Sequence, residues 1–260
     1  MTTPIPVRTP LPASLAGSTV LLLGGSSGIG LAAGTLLRQV GARVVLVGRD
    51  PERLKAAAGR VRAAAPGGED DVLTVAGDAG DENTLEQAFE RAGEIHHIYA
   101  TAGGISGAGL LKDLSPEGIR DTLAQTAWRP FAIARAAATR LPAGGSLTYS
   151  SGILIVRPRP GMTAPLAGAG TVEVLTKALA VEFAPARVRV NTVRYGRIDT
   201  PLLRSIPGLD SDESVAAAGA STPLGRVGTA EEAAAAALFC MANNYVNGQI
   251  ITVDGGESLV

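Results

Sequence analysis

At 260 residues and 46% hydrophobic, the chain has enough apolar material for one well-buried domain and is short for two. Its 23 basic and 24 acidic side chains nearly cancel and no run of Lys or Arg forms a stripe, so neither nucleic acid nor membrane is an expected partner, and a small-molecule substrate is. The single Cys240 excludes an internal disulfide framework; with no apolar h-region at the N-terminus and no 18-residue apolar run, a cytoplasmic protein is expected.

Pro4, Pro6, Pro10 and Pro12 mark residues 1–15 as a proline-rich tail that can be neither helix nor central strand. From residue 16 to 260 a single domain is expected. Short apolar runs alternate there with Ala/Leu-rich helical stretches. STVLLLG is followed by a helix over 28–40, ARVVLVG by one over 51–64, and DVLTVAGD by one over 82–92. HHIYATAG precedes a helix over 116–140, SLTYSS one over 165–184, VRVNTVRYG one over 230–242, and QIITVDGG closes the series. Continuous apolar strands alternating with helices predict an α/β fold. It is a Rossmann-type doubly wound parallel sheet, with helices on both faces and a ligand crevice at the carboxyl ends of the strands.

Between the first strand and its helix, LLLGGSSGIGLAAG offers Gly24, Gly28 and Gly30. Glycines there let the backbone turn tightly and approach a pyrophosphate seated at the positive end of the helix. Packing alone also produces such loops; the strand before, the helix after and the alternating chain favour the nucleotide. The second strand ends with Gly48, where a carboxylate would bind the ribose hydroxyls of NAD, and Arg49 follows. A missing carboxylate and a nearby guanidinium suit a 2′-phosphate, so NADP(H) is the expected cofactor; the alternative for Arg49 is a solvated loop charge, which the adjacent Asp50 faintly favours.

Over residues from about 16 to the end, the chain resembles the short-chain dehydrogenase/reductase family. GGSSGIG matches its glycine loop, and TPLGRVGTAEEAA, YVNGQIITVDGG and RVNTVRYGRIDTPL match later motifs. The resemblance implies cofactor contacts from Gly24, Ser26, Ser27, Gly28, Ile29 and Gly30, and from Asp78 on the adenine with Ala79 beside it. It implies further contacts from Ala102 and Gly103 in the fourth-strand loop, and from Gly196, Ile198 and Thr200 beside the nicotinamide. It also implies a homodimer or homotetramer, and no metal.

The family's chemistry uses a serine, a tyrosine, a lysine four residues later and usually an asparagine. Ser151 matches the serine. Anchored on VEVLTKALA, the tyrosine position falls on Pro165, the lysine position on Ala169 and the asparagine position on Thr126. Loss of a positioned general acid costs roughly 10²–10⁴ in rate. Tyr195 is the nearest replacement donor by sequence, or else a wall-forming aromatic. Arg157 and Arg159 either hold an anion or belong to a solvated loop. Glu173 and Lys177 read as an exposed i,i+4 ion pair, and His96 and His97 as structural. Residues 202–222 read as a mobile lid that sets specificity. Three functions remain: an NADP(H)-dependent reductase of an activated acceptor such as a conjugated enone or iminium; a non-redox cyclase, dehydratase or isomerase using the same pocket; or a catalytically silent NADP(H)-binding partner subunit.

Overall fold

The computed structural model describes residues 9–101, 103–104 and 106–260. Seven strands form one parallel sheet in the order β3-β2-β1-β4-β5-β6-β7. They are β1 (Thr19–Leu23), β2 (Arg43–Gly48), β3 (Val72–Ala76), β4 (His97–Ala100), β5 (Ser146–Gly152), β6 (Arg189–Tyr195) and β7 (Ile250–Val253). The strand order reverses between β1 and β4, and a ligand crevice is expected at that switch point.

Side chains alternate across each strand, and the two faces bury separate cores. One face packs Leu21, Leu23, Val45, Val47, Leu147 and Val190 against α3 (Glu82–Ala92), α4 (Pro116–Arg140) and α6 (Thr171–Glu182). The other packs Val20, Leu22, Val44, Leu46 and Val193 against α1 (Gly28–Gln39), α2 (Pro51–Arg62) and α9 (Ala230–Ala242). The cores of both faces are largely aliphatic, as continuous apolar strands require.

Three features depart from the sequence expectations or add to them. Pro12–Leu15 form a 3₁₀ turn with Pro12 in its first turn and Leu15 buried against the α9 side, so the proline-rich segment enters the core before residue 16. A proline is tolerated at that position because its missing N–H has no helical partner to lose. The helix expected over 165–184 is two helices, α5 (Thr163–Ala169) and α6, joined at Gly170. There the chain tightens, with the Glu173 N–H donating to Gly170 O at 3.1 Å. Gly168 lies so close to α4 that a Cβ would fall 1.7 Å from Thr126 Oγ1. By length and composition Thr163–Glu182 is apolar enough to cross a membrane, with mean hydropathy 1.2. Here, however, Val172, Leu175 and Leu179 pack into the core. The segment 202–222, expected as a lid, carries most of α7 (Pro201–Arg204) and all of α8 (Asp212–Gly219). Arg204 ties them together, bonding Asp199 at 2.6 and 2.8 Å and Asp212 at 2.8 Å.

Candidate active site

The glycine loop leaves β1 in a conformation few residues besides glycine adopt. Gly24 has φ +98° and Gly28 φ +52°. At Gly30 a Cβ would fall 2.3 Å from Gly24 O and 2.7 Å from Thr101 Oγ1, so no side chain fits. Ser27 is the N-cap of α1 and its side chain makes no capping bond, so the first amides of the helix keep their donors for an anion. Ser26 packs beside Gly48, and Ile29 is half-buried against the α1–α9 core. The loop therefore has the backbone, the space and the dipole that a pyrophosphate needs.

Gly48 is buried at the end of β2 and Arg49 is exposed beyond it. Asp50 is occupied elsewhere: its carboxylate caps α2, accepting from the Glu52 and Arg53 amides at 3.0 and 3.1 Å. The adjacent negative charge thus belongs to a helix terminus rather than to Arg49.

The Asp78 carboxylate accepts from the Gly80 N–H at 2.7 Å and lies 3.5 Å from Arg129 Nε, which fixes the turn after β3. The Ala79 side chain is buried in the core and leaves only its backbone for a ligand. Gly103 is exposed, and Ala102 lies outside the described residues. Past β6, Gly196 has no room for a Cβ, which would fall 2.7 Å from Asp254 Cα. Ile198 is buried and bridges Gly228, while Thr200 caps α7, accepting from the Leu203 N–H at 3.4 Å. Thr200 also comes within 3.4 Å of where a Gly28 Cβ would be, so the segment after β6 lies over the glycine loop.

Ser151 stands near the carboxyl end of β5, in register with Arg194 on β6. Its hydroxyl donates to Glu173 Oε1 at 2.5 Å. Arg194 grips the same carboxylate with Nε at 2.8 Å and Nη2 at 2.6 Å, and reaches Thr252 Oγ1 at 3.2 Å. The Glu173 and Arg194 side chains are 11% and 16% exposed. Burial pushes the Glu173 carboxyl up, but the hydrogen bonds from Arg194 and Ser151 and the guanidinium charge outweigh it and hold the group below the ordinary value. The expected surface pair with Lys177 is corrected: Glu173 turns inward to a bidentate arginine, while Lys177 stays exposed. α6 presents the Glu173 side to β5 and β6, where an arginine waits.

Tyr195 is corrected as well. Its hydroxyl bonds the Tyr99 hydroxyl at 2.7 Å and donates to Ala233 O of α9 at 3.0 Å. Period-two alternation is the reason. Thr192 and Arg194 meet α6, so Val193 and Tyr195 point to the α1–α9 face, away from Ser151. Burial raises the Tyr195 phenol well above its ordinary value, and Tyr99 is pushed up to about 12 by the same cause. Tyr195 is therefore a buried structural phenol rather than a proton donor to the crevice.

α5 carries Pro165 buried and Ala169 exposed, and no residue in Thr163–Ala169 is ionisable. Thr126 Oγ1 donates back to Thr122 O at 2.6 Å, within its own helix. Arg157 and Arg159 are exposed. His96 Nδ1 accepts from the Thr19 N–H at 3.0 Å and His97 Nδ1 meets Ser146 Oγ at 2.8 Å. Both histidines sit at the amino end of β4, opposite the crevice. Cys240 is buried, and its thiol is pushed up to about 12 by burial.

A family model described as "Enoyl-(Acyl carrier protein) reductase" matches residues 24–258. Carbonyl reductase family member 4 of Danio rerio is 31% identical over 92% of this chain and 98% of its own. The structure of the MalC reductase/Diels-Alderase of Malbranchea aurantiaca superposes with a TM-score of 0.84 at 29% identity, over 95% of this chain and 98% of that one. A short chain dehydrogenase of Burkholderia cenocepacia J2315 in complex with NADP superposes with a TM-score of 0.81 at 26% identity, over 95% of this chain and 99% of that one.

Proposed function

The chain belongs to the short-chain dehydrogenase/reductase family, and from that membership we propose that it is an NADP(H)-dependent reductase with an atypical site, acting on a small molecule that needs no proton from a tyrosine. The observation that supports it is α5, whose residues Thr163–Ala169 include no ionisable side chain, while the sequence match puts Pro165 and Ala169 where the family carries tyrosine and lysine. A carbonyl oxygen gaining hydride needs a proton donor; a conjugated enone or an iminium does not need one at the same place or moment.

A bound nicotinamide dinucleotide supplies hydride. The residues that would hold it are Gly24, Ser26, Ser27, Gly28, Ile29 and Gly30 at the pyrophosphate, Arg49 at a 2′-phosphate and Asp78 at the adenine. Gly103, Gly196, Ile198 and Thr200 would flank the nicotinamide side. The space denied to a Gly30 Cβ, the uncapped start of α1 and the release of Arg49 from Asp50 support this reading. The similar dehydrogenase bound to NADP supports it as well. Ser151 faces the reacting end of the substrate, and Glu173 with Arg194 holds its orientation.

A second reading has its own support, since the similar MalC protein is described as both a reductase and a Diels-Alderase. In that case the pocket would also guide a cyclisation. One experiment separates the two: incubate the protein with NADPH and a panel of conjugated enones, iminium ions and ketones, and follow absorbance and product together. Stoichiometric NADPH consumption with activated acceptors supports reduction. Product formed without consumption supports cyclisation, and neither would favour a silent partner subunit.

A further inference from the structure

The cluster of Ser151, Glu173 and Arg194 decides which kind of atom a substrate can present to the serine. A hydroxyl has one proton to give and two lone pairs to offer. The proton of Ser151 goes to Glu173 Oε1 at 2.5 Å. The carboxylate is fixed by two Arg194 donors at 2.8 and 2.6 Å, and an ionised carboxylate can only accept. Turning the Ser151 proton toward a substrate would break a charge-assisted bond to a largely buried carboxylate. Ser151 itself is only partly buried, so what it shows the crevice is lone pairs.

We infer that Ser151 acts on the substrate as a hydrogen-bond acceptor with Glu173 as its positioning residue, so that the site selects a protonated imine, whose N–H donates to Ser151 Oγ, over a ketone. This inference rests on the placement of Ser151 at the reacting end of the substrate in the proposed function. Ketone oxygen needs a donor, and the serine has none free. A protonated imine brings both the donor and the proton that α5 cannot supply. When a reduced nicotinamide dinucleotide gives hydride to the imine carbon, the new C–H bond takes the hydride pair. The C=N π pair moves to nitrogen, the product is a neutral amine and the nicotinamide is oxidised. No proton leaves the chain in that step.

Two cations of equal charge and ring system test it: protonated 3,4-dihydroisoquinoline and N-methyl-3,4-dihydroisoquinolinium, which differ by N–H against N–CH₃. Calorimetric titration into the full-length protein loaded with NADP⁺ should give about tenfold tighter binding for the N–H cation, the scale of one hydrogen bond to a charged group. Ser151→Ala should bring that ratio close to one. Glu173→Gln leaves the amide oxygen for Arg194 and turns its NH₂ toward Ser151, releasing the serine proton; affinity for 1-tetralone, the matched ketone, should then rise several-fold. Circular dichroism and melting confirm that each variant is folded. Equal affinities in the wild type, no binding of either cation, or a preference that survives Ser151→Ala overturns the inference. NADPH oxidation with the N-methyl cation but no N–H preference would sink this inference and leave the reductase reading standing. An N–H preference without NADPH oxidation by either cation would do the reverse.

Discussion

Ser151 and Glu173, separated by 22 residues in sequence, share a 2.5 Å hydrogen bond that joins the end of β5 to the start of α6. The bond places a carboxylate beside the crevice serine of a chain whose α5 has no acid of its own. Its consequence for substrate chemistry can be checked by building a tyrosine and a lysine into α5. Pro165→Tyr with Ala169→Lys should give little ketone reduction, because the Ser151 proton stays with Glu173. Adding Glu173→Ala and Arg194→Ala should raise that rate at least about tenfold, within the range of a positioned proton donor. Efficient ketone reduction by the first pair alone would contradict the account.

Glu173 also gives the protein a distinctive acid response. Its carboxyl lies below the ordinary value of 4.5 in the folded state, so the folded chain binds fewer protons there than the unfolded one. The contribution to stability is in place above that ordinary value and is lost as pH falls through the folded one. Melting temperatures between about pH 7 and about pH 3 should fall less steeply for Glu173→Gln than for the wild type. Parallel curves would mean that the Arg194 contact adds nothing to stability.

Gly30→Ala places a Cβ 2.3 Å from Gly24 O, a backbone atom that cannot swing aside. Fluorescence titration should show NADPH affinity reduced by at least about tenfold, because the loop must open before the backbone can approach the pyrophosphate. Wild-type affinity in this variant would remove the pyrophosphate from the loop.

Arg49→Ala should weaken NADPH binding by about tenfold or more and leave NADH unchanged, as expected for loss of a charge-assisted contact to a 2′-phosphate. A uniform loss for both cofactors would indicate a structural arginine, and no loss a solvated one.

Tyr195→Phe should leave turnover of an activated acceptor within about twofold while costing about 1–2 kcal/mol, since a buried phenol loses bonds to Tyr99 and Ala233 O. A collapse of turnover with unchanged melting would return Tyr195 to the chemistry.

The alternating strands and helices were legible because β1 and β2 are nearly continuous apolar runs and the later strands are short β-branched segments, each closed by glycine or a polar turn. The glycine loop was legible because its conformation excludes side chains. Ser151 followed from the resemblance to the family, whose serine it matches. The inward role of Glu173 was hidden, since an acidic residue four before a lysine fits a solvated helix face as well as a buried ion pair. The available signal lay on β6. In VRVNTVRY the period of two sends Arg194 and Tyr195 to opposite faces, so only one of them can share a face with Ser151. That period excludes Tyr195 and brings forward an arginine in search of a carboxylate. The break at Gly170 was hidden because small and apolar residues continue on both sides of it and a single glycine does not by itself end a helix.

The bond between the Tyr99 and Tyr195 hydroxyls spans from β4 to β6, with Ser150 of β5 also donating to Tyr99 at 3.4 Å. β5 and β6 carry Ser151 and Arg194 on one face, and with β4 they carry this phenolic brace on the other. The brace keeps their spacing without drawing on any crevice side chain. Such a division makes the sheet a chassis whose working surface is exchangeable: reactive groups can be lost, or new ones recruited, while the strand ends that present them keep their places.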